Sequence, residues 1–576
     1  MADYLDEYEK WLSSEYVDDD EKRELIGLKG NDSEIKDRFY RHLEFGTAGL
    51  RGIIGAGTNR MNKHVVRRIT RGIAEYILKF GGDDAKKRGV AIAYDCRRLS
   101  DYFALEAALV FAANGISAYL FDALRPTPEL SFTVRHLGAI AGINITASHN
   151  PPNYNGYKVY WEDGGQLPPH ISDAVLEIIN ATPLFPVPTM AKDEAMQKGL
   201  VKIIGREVDE AFINAVYKQA INTDSIARMA DKFKIVYTPL HGTGNKPVRE
   251  ILNKVGFRNV LVVKEQELPD SEFSTVKSPN PENIECYDMA LELAKKEDAD
   301  IIIATDPDAD RVGTLVRTSD GEYTHISGNQ LGAILAHYIL SSKSSMGTLP
   351  KNAAVVSTVV STGLTKAVCK RFGATYFETL TGFKFIGEKI HEFEKEGKYE
   401  YVFGFEESYG YLAGTHARDK DGIVASMLVA EMAAHYAEKG KTLFDVTQDL
   451  YKEYGWFLED TVCVFMDGID GLEKINGIMK DLRDKMPKEI GGLNVLAIRD
   501  YKAGLRYDLK SGEQSPTGLP ESDVLIFELE GGTNFAVRPS GTEPKIKNYY
   551  LIYHKTKEGA EEILSRIKSA AEKIIW

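Results

Sequence analysis

Short apolar runs alternate along much of this chain with stretches of helical periodicity. The run at 90–94 is followed by Asp95-Cys96-Arg97, and Ser100 is placed to cap a helix running through 107–110 to Gly115. A second run, near 117–121, leads to Arg125-Pro126-Thr127-Pro128, where threonine before proline signals a helix start. A third, at 139–145, ends at Thr146-Ala147-Ser148-His149-Asn150-Pro151-Pro152. The pattern returns with strands at 234–237, 260–263 and 301–304 and helices at 248–255 and about 284–296. The last strand delivers Asp306-Pro307-Asp308-Ala309-Asp310-Arg311. A third copy has strands at 354–356, 375–377 and 401–403, a helix after Thr381-Gly382-Phe383-Lys384, and a close at Gly404-Phe405-Glu406-Glu407-Ser408.

Strands alternating with amphipathic helices predict parallel sheets covered on both faces, with ligands beyond the carboxyl ends of the strands. The serine, aspartate and glutamate loops all sit at such ends, which is the reason to assemble them into one site. From about residue 456 the pattern becomes strand-rich and closes with a helix at about 557–574. The expected architecture is three related α/β domains with mixed or parallel sheets plus a C-terminal α+β domain, arranged around a central cleft. The expected boundaries are 1–208, 209–325, 326–455 and 456–576. Residues 181–190, with three prolines, read as a surface excursion.

At 576 residues the chain is too long for one core. A composition 43% hydrophobic and 27% charged is that of an ordinary globular protein. Net charge −14 argues against a broad nucleic-acid surface, though a site can still be locally basic. No apolar stretch is long enough for a membrane span, and the acidic N-terminus lacks a signal core. Cys96, Cys286, Cys369 and Cys463 are scattered and read as reduced thiols of a cytoplasmic protein.

The chemistry lies in the loops. Ser148 is a nucleophile held in a loop stiffened by two prolines. A Gly-x-Ser-x-Gly elbow is absent, and side chains of neighbours on an extended loop diverge, so His149 is not expected to serve as a triad base. Lys158 can return to the pocket as an acid or base, with burial and nearby cations depressing its pKa. Asp306, Asp308 and Asp310 supply hard oxygens on one side of an extended loop and suit magnesium. An EF-hand is excluded, because its sixth and twelfth positions are Arg311 and Arg317. Arg311 can neutralise a phosphate or the aspartates. Arg538-Pro539-Ser540-Gly541-Thr542 offers a guanidinium fork, two hydroxyls and freed backbone N–H groups, a clamp for a phosphate dianion, with Lys545 adding charge. No Walker loop is present. Glu406 and Ser408 suit sugar hydroxyls, and the flexible loop Gly46-Thr47-Ala48-Gly49-Leu50-Arg51-Gly52 can bring Arg51 to an anion.

Together these motifs resemble the α-D-phosphohexomutase family, of the long phosphoglucomutase/phosphomannomutase type. Thr-Ala-Ser-His-Asn-Pro, Asp-Pro-Asp-Ala-Asp-Arg, Gly-Phe-Glu-Glu-Ser and Arg-Pro-Ser-Gly-Thr-Glu-Pro occur in the family's order, and the resemblance runs from about Gly46 to Ile567. It implies that Ser148 is a phosphoserine and that Asp306, Asp308 and Asp310 hold Mg2+ together with an oxygen on Ser148. Lys158 matches the general base, and His149 and Arg51 match other active-site positions. Glu406 and Ser408 match the sugar loop, Thr381 and Lys420 match further substrate contacts, and Arg538, Ser540, Gly541 and Thr542 match the distal phosphate loop. The implied activity interconverts α-D-glucose 1-phosphate and glucose 6-phosphate, with glucose 1,6-bisphosphate as intermediate and activator. Mannose or pentose phosphates are alternatives by the same mechanism; a sugar-phosphate phosphatase and a non-catalytic sensor are rivals. The expected partner is a hexose phosphate, with no nucleic acid or membrane, in a monomer or weak homodimer.

Overall fold

The apolar runs become the centres of sheets, and in two of those sheets the segment just after a functional loop turns back as an antiparallel strand. In the computed structural model, which describes residues 4–46, 49–466, 469–540 and 545–575, the first sheet has six strands. They are β1 (Leu50–Ile53), β2 (Val90–Tyr94), β3 (Ala118–Phe121), β4 (Ala141–Ile145), β5 (Tyr154–Trp161) and β6 (Val201–Ile204), ordered β1-β5-β4-β2-β3-β6. The second sheet comprises β7 (Lys234–Thr238), β8 (Asn259–Val262), β9 (Ile301–Thr305), β10 (Val312–Arg317) and β11 (Tyr323–Ile326), ordered β11-β10-β9-β7-β8. Strands β2 to β4 and β7 to β9 pair in parallel, as expected for strands joined by helices. The sheets are mixed: β5 and β10 return antiparallel beside β4 and β9. The serine and aspartate loops are therefore both hairpin connections, too short to carry a crossover helix.

Two compact units divide the chain. The first is Met1–His325 with Ile386–Gly397 and Tyr409–Gly440; the second is Ile326–Phe385 with Lys398–Ser408 and Lys441–Trp576. In the second, β12 (Ala353–Thr358) lies between β13 (Thr375–Thr379) and β14 (Glu400–Glu406), all parallel. The strand β15 (Gly410–Ala413) falls in the sequence of the first unit. The strand-rich C-terminal region forms an antiparallel sheet of β16 (Trp456–Phe465), β17 (Glu489–Ile490), β18 (Leu493–Asp500), β19 (Leu505–Asp508), β20 (Gln514–Pro516), β21 (Leu525–Leu529), β22 (Asn534–Pro539) and β23 (Lys545–His554). Its order is β16-β23-β22-β21-β18-β19-β20, with β17 on β18. The helices Ile469–Lys485 and Lys557–Ile575 accompany it. No helix among the described residues is long and apolar enough to cross a membrane.

Local departures from the sequence reading have physical causes. Ser100 is the first residue of the Ser100–Ala113 helix and does not cap it; its hydroxyl donates to Asp95 Oδ1 at 2.7 Å instead. The 284–296 helix opens as a 3-10 turn, Ile284–Tyr287, before Asp288–Glu297. The proline-rich segment at 181–190 is partly internal. Phe185 packs edge-on against Trp11, 5.8 Å between ring centres, and Val187 is buried. Trp11, Leu25 and Phe39 come from three N-terminal helices, Tyr4–Ser13, Asp19–Ile26 and Asp32–Phe39. Burying such a side chain contributes about 2 kcal/mol, which attaches these short helices.

One buried carboxyl makes a stability prediction. Burial raises the Glu129 carboxyl well above its ordinary range, helped by a hydrogen bond with Asp209 and repulsion from it. Arg125 pairs with Asp209, donating from Nε at 2.7 Å and Nη2 at 2.9 Å, so Asp209 is the ionised partner, held below its ordinary range. A raised folded pKa stabilises fully below the ordinary carboxylate range, and that contribution is lost as pH rises toward the folded value. Glu129→Gln keeps the neutral form. Its stability should gain on wild type as pH rises from about 5 toward the raised folded value, with a slope of up to about 1.4 kcal/mol per pH unit. A pH-independent difference in melting curves would contradict the assignment.

Candidate active site

The loop after β4 is curled, and that curl decides what its side chains can reach. Ser148 has φ 52°, in the left-handed region that costs a non-glycine residue about 1–2 kcal/mol. Its backbone N–H donates to Thr146 Oγ1 at 2.9 Å. The curl brings neighbours together: Ser148 Oγ lies 3.1 Å from His149 Nδ1, so the expected divergence of these side chains does not occur. The same hydroxyl donates to Asp306 Oδ2 at 2.9 Å, joining residues 158 positions apart.

Arg97 braces the loop from beneath. Its Nη2 donates to the carbonyls of Ser148 (2.6 Å) and Asn150, and its Nη1 to those of Pro151 (2.8 Å) and Tyr154 (3.1 Å). Asp95 pairs with the guanidinium and accepts the Arg97 backbone N–H. Phe273 lies 5.0 Å from its Cζ.

The aspartate loop connects β9 to β10. Carboxylate oxygens of Asp306, Asp308 and Asp310 lie within 4.8 Å of one another, all buried. Its carbonyls are held in turn: Pro307 O accepts from Thr243 N (2.8 Å), Asp308 O from Thr127 N (2.9 Å) and Ala309 O from Gly422 N (3.0 Å). Close approach requires glycine at 422, where a Cβ would stand 2.5 Å from Ala309 O. Asp306 Oδ1 accepts the N–H groups of Asp310 and Arg311. Arg311 itself donates from Nη1 to Glu282 at 2.7 Å.

The antiparallel return of β5 sets Lys158 opposite Asn144 and beside this loop. Lys158 Nζ donates to Asp308 Oδ2 (2.6 Å) and Asp310 Oδ2 (3.3 Å). Lys420 Nζ lies 3.2 Å from both Asp310 Oδ2 and Asp419 Oδ1. Asp419 Oδ2 accepts from Tyr160 and Gln166. Arg51, on β1 beside β5, donates to Asn150 Oδ1 at 2.9 Å.

The electrostatics follow from burial and from the charges packed against one another. Burial and repulsion from Asp308 and Asp310 hold Asp306 well above its ordinary range. Burial pushes Asp308 upward too, but Lys158 overrides it and leaves the carboxyl well below its ordinary range. Burial pulls Lys158 down, yet Asp308 and Asp310 more than offset this, so its pKa is raised rather than depressed as the sequence reading expects. Burial, then Arg311 and Arg51, hold His149 well below its ordinary range and therefore neutral.

The second unit carries the other expected residues. Glu406 ends β14 and accepts Gly382 N–H at 2.6 Å. Thr381 Oγ1 is buried with no hydrogen-bond partner among the described residues. Ser408 is half-buried. Arg538 lies on β22 opposite Lys547, and Ser540 N donates to Lys545 O at 2.8 Å, closing the loop between β22 and β23. Gly541 and Thr542 lie outside the described residues.

Models of the phosphoglucomutase/phosphomannomutase α/β/α domains I, II and III match residues 42–184, 210–321 and 327–454. A phosphoglucomutase of Staphylococcus epidermidis is 39% identical over 510 residues, covering 88% of this chain and 90% of the relative. One of Staphylococcus aureus is 37% identical over 522 residues, covering 90% and 91%. The chain belongs to the phosphoglucomutase/phosphomannomutase family. Solved structures share the fold: the open form of the phosphoglucomutase parafusin from Paramecium (TM-score 0.69, 20% identity, 92% of this chain and 94% of that one) and a family protein from Burkholderia thailandensis (TM-score 0.64, 17% identity, 92% and 97%).

For a member of this family the aspartate cluster fits a hard divalent cation. Asp308 Oδ1 and Asp310 Oδ1 are buried and accept no hydrogen bond among the described residues, an arrangement too costly to leave without a positive partner. The sequence reading did not single out Arg97 or Asp419. Arg97 stands at the carboxyl end of β2, next to β4, so the rule that placed Ser148 could have found it.

Proposed function

We propose that the protein is a phosphoglucomutase, interconverting α-D-glucose 1-phosphate and glucose 6-phosphate through phospho-Ser148 and enzyme-held glucose 1,6-bisphosphate. The single observation that carries this reading is the Ser148 hydroxyl at 2.9 Å from Asp306 Oδ2, which puts the nucleophile on the rim of the carboxylate cluster. The phosphoglucomutase relatives support the same reaction.

In the forward half-reaction the phosphoryl group leaves Ser148 Oγ for a free sugar hydroxyl; that hydroxyl's proton passes to Lys158 Nζ, and protonated His149 returns a proton to the leaving Ser148 Oγ. In the return half-reaction Ser148 Oγ attacks the other phosphate of the bisphosphate, the sugar P–O bond breaks, and the leaving oxygen takes a proton from Lys158. Neutral His149, 3.1 Å away, accepts the Ser148 proton. Lys158 enters the return half-reaction as an ammonium, the form its two aspartate partners favour, and enters the forward one having given that proton up. Magnesium bound by Asp306, Asp308 and Asp310 would offset charge on the transferring group. By resemblance to the family, Arg51 and Lys420 would meet anionic oxygens, Thr381, Glu406 and Ser408 would read sugar hydroxyls, and Arg538 and Ser540 would bind phosphate. A loop that reads only a dianion accepts the sugar in either orientation.

The test is a mutase assay on glucose, mannose, glucosamine and ribose 1-phosphates with magnesium and the matching bisphosphate. Glucose 1-phosphate should turn over fastest, with almost no inorganic phosphate released. Conversion of none of the four, or steady phosphate release, would overturn the reading.

A further inference from the structure

Asp308 and Asp310 each have one oxygen, Oδ2, held by positive or donating groups, and a second, Oδ1, that is buried and accepts no hydrogen bond among the described residues. Asp308 shows this most clearly. Its Oδ2 accepts from Lys158 Nζ at 2.6 Å and from Thr127 Oγ1 at 2.9 Å, while Oδ1 is buried and receives nothing among the described residues. Thr127 is the first residue of the Thr127–Leu137 helix and is fully buried. Its hydroxyl in turn accepts from Asn144 Nδ2 at 2.7 Å. Asn144 is also fully buried, one residue from the carboxyl end of the inner strand β4.

A hydroxyl has one proton to give. With the Asn144 amide donating to it, the Thr127 proton can go only to Asp308. A carboxylate held by two donors on one oxygen cannot swing about its terminal torsion, so the opposite oxygen is aimed.

Building on the cation reading of the aspartate cluster, we propose that Thr127 is a positioning residue that selects Oδ1 of Asp308 as the oxygen offered to the ion, with Asn144 fixing the direction of the Thr127 hydroxyl. The β4 strand that leads into the serine loop thereby also orients a ligand in the loop after β9. Sequence motifs give no hint of this: Thr127-Pro128 reads only as a helix start.

The Thr127 backbone N–H separately donates to Asp308 O at 2.9 Å. Thr127→Val keeps that bond and the side-chain shape, and removes only the hydroxyl. Binding of magnesium alone to the full-length protein, followed by calorimetry, should weaken by about 10- to 100-fold in Thr127→Val, the usual cost of losing an outer partner of a metal ligand. Thr127→Ser should restore wild-type binding, because it returns the hydroxyl. Asn144→Ala should weaken binding several-fold, and it carries the test if the valine variant melts below the assay temperature in chelator. Thr127→Val binding magnesium within twofold of wild type, or serine failing to rescue, would overturn the proposal. If wild type itself takes up no magnesium, the cation reading falls first, and that result appears without any substitution.

Discussion

Replacing Ser148 with alanine is expected to lower mutase turnover by about 10^4-fold or more, the order seen when a covalent nucleophile is removed. The substitution should leave the loop where it is. Arg97 holds the loop by backbone carbonyls, and the Ser148 N–H bond to Thr146 does not use the hydroxyl. The loss of the bond to Asp306 costs only about 1 kcal/mol of stability. A folded, inactive protein that takes up no label from glucose bisphosphate carrying radioactive phosphate is the predicted result. Turnover above a tenth of wild type would remove Ser148 from the mechanism, and labelling of the alanine variant would locate the phosphoryl group elsewhere.

Asp308→Asn is expected to damage stability and cation binding together. It leaves Lys158, 2.6 Å away and buried, with Asp310 alone as its anionic partner. Breaking a buried pair from one side costs about 3–5 kcal/mol, and the surviving contact at 3.3 Å places this case near about 3 kcal/mol. A lower urea midpoint with an unchanged slope would report it. The folded pKa of Asp308 is depressed, so its contribution is present above the ordinary carboxylate range and lost as pH falls through the folded value. The deficit of the variant should therefore shrink in acid. Magnesium affinity should drop by about 100-fold or more, because an aimed anionic ligand is gone. A variant as stable as wild type at pH 7 would show that Lys158 does not depend on this carboxylate.

Much of this arrangement was legible before any coordinates. Ser148 and the three aspartates follow largely apolar runs, and a buried strand can end only where its backbone finds new partners. That signal is strong because it needs no knowledge of neighbours. The return strands were harder to see. In β5, Tyr154-Asn155-Gly156-Tyr157-Lys158 mixes polar and glycine positions, yet most of the strand is buried, because its polar groups are satisfied by partners far away in sequence. The charge state of Lys158 depends on carboxylates 150 and 152 positions on, so its own surroundings in the sequence suggested the opposite shift. The convergence of Ser148 and His149 hinges on one backbone angle that an L-residue rarely adopts. Arg97 follows an apolar run as Ser148 does, but nothing in its own sequence announces that four main-chain carbonyls will surround it. The three N-terminal helices are short and polar, and it is the cluster of Trp11, Leu25 and Phe39 with Phe185 that makes them part of the fold.

Arg97 spends its hydrogen bonds on main-chain oxygens and none on the space where a sugar phosphate would enter. Its charge is therefore a constant of the protein. It stays behind residue 148 whether that side chain is free or phosphorylated, so the backbone there feels the same positive background at every stage of turnover. Lysine could not stand in for it, because one ammonium cannot serve four carbonyls spread across both prongs of a planar fork.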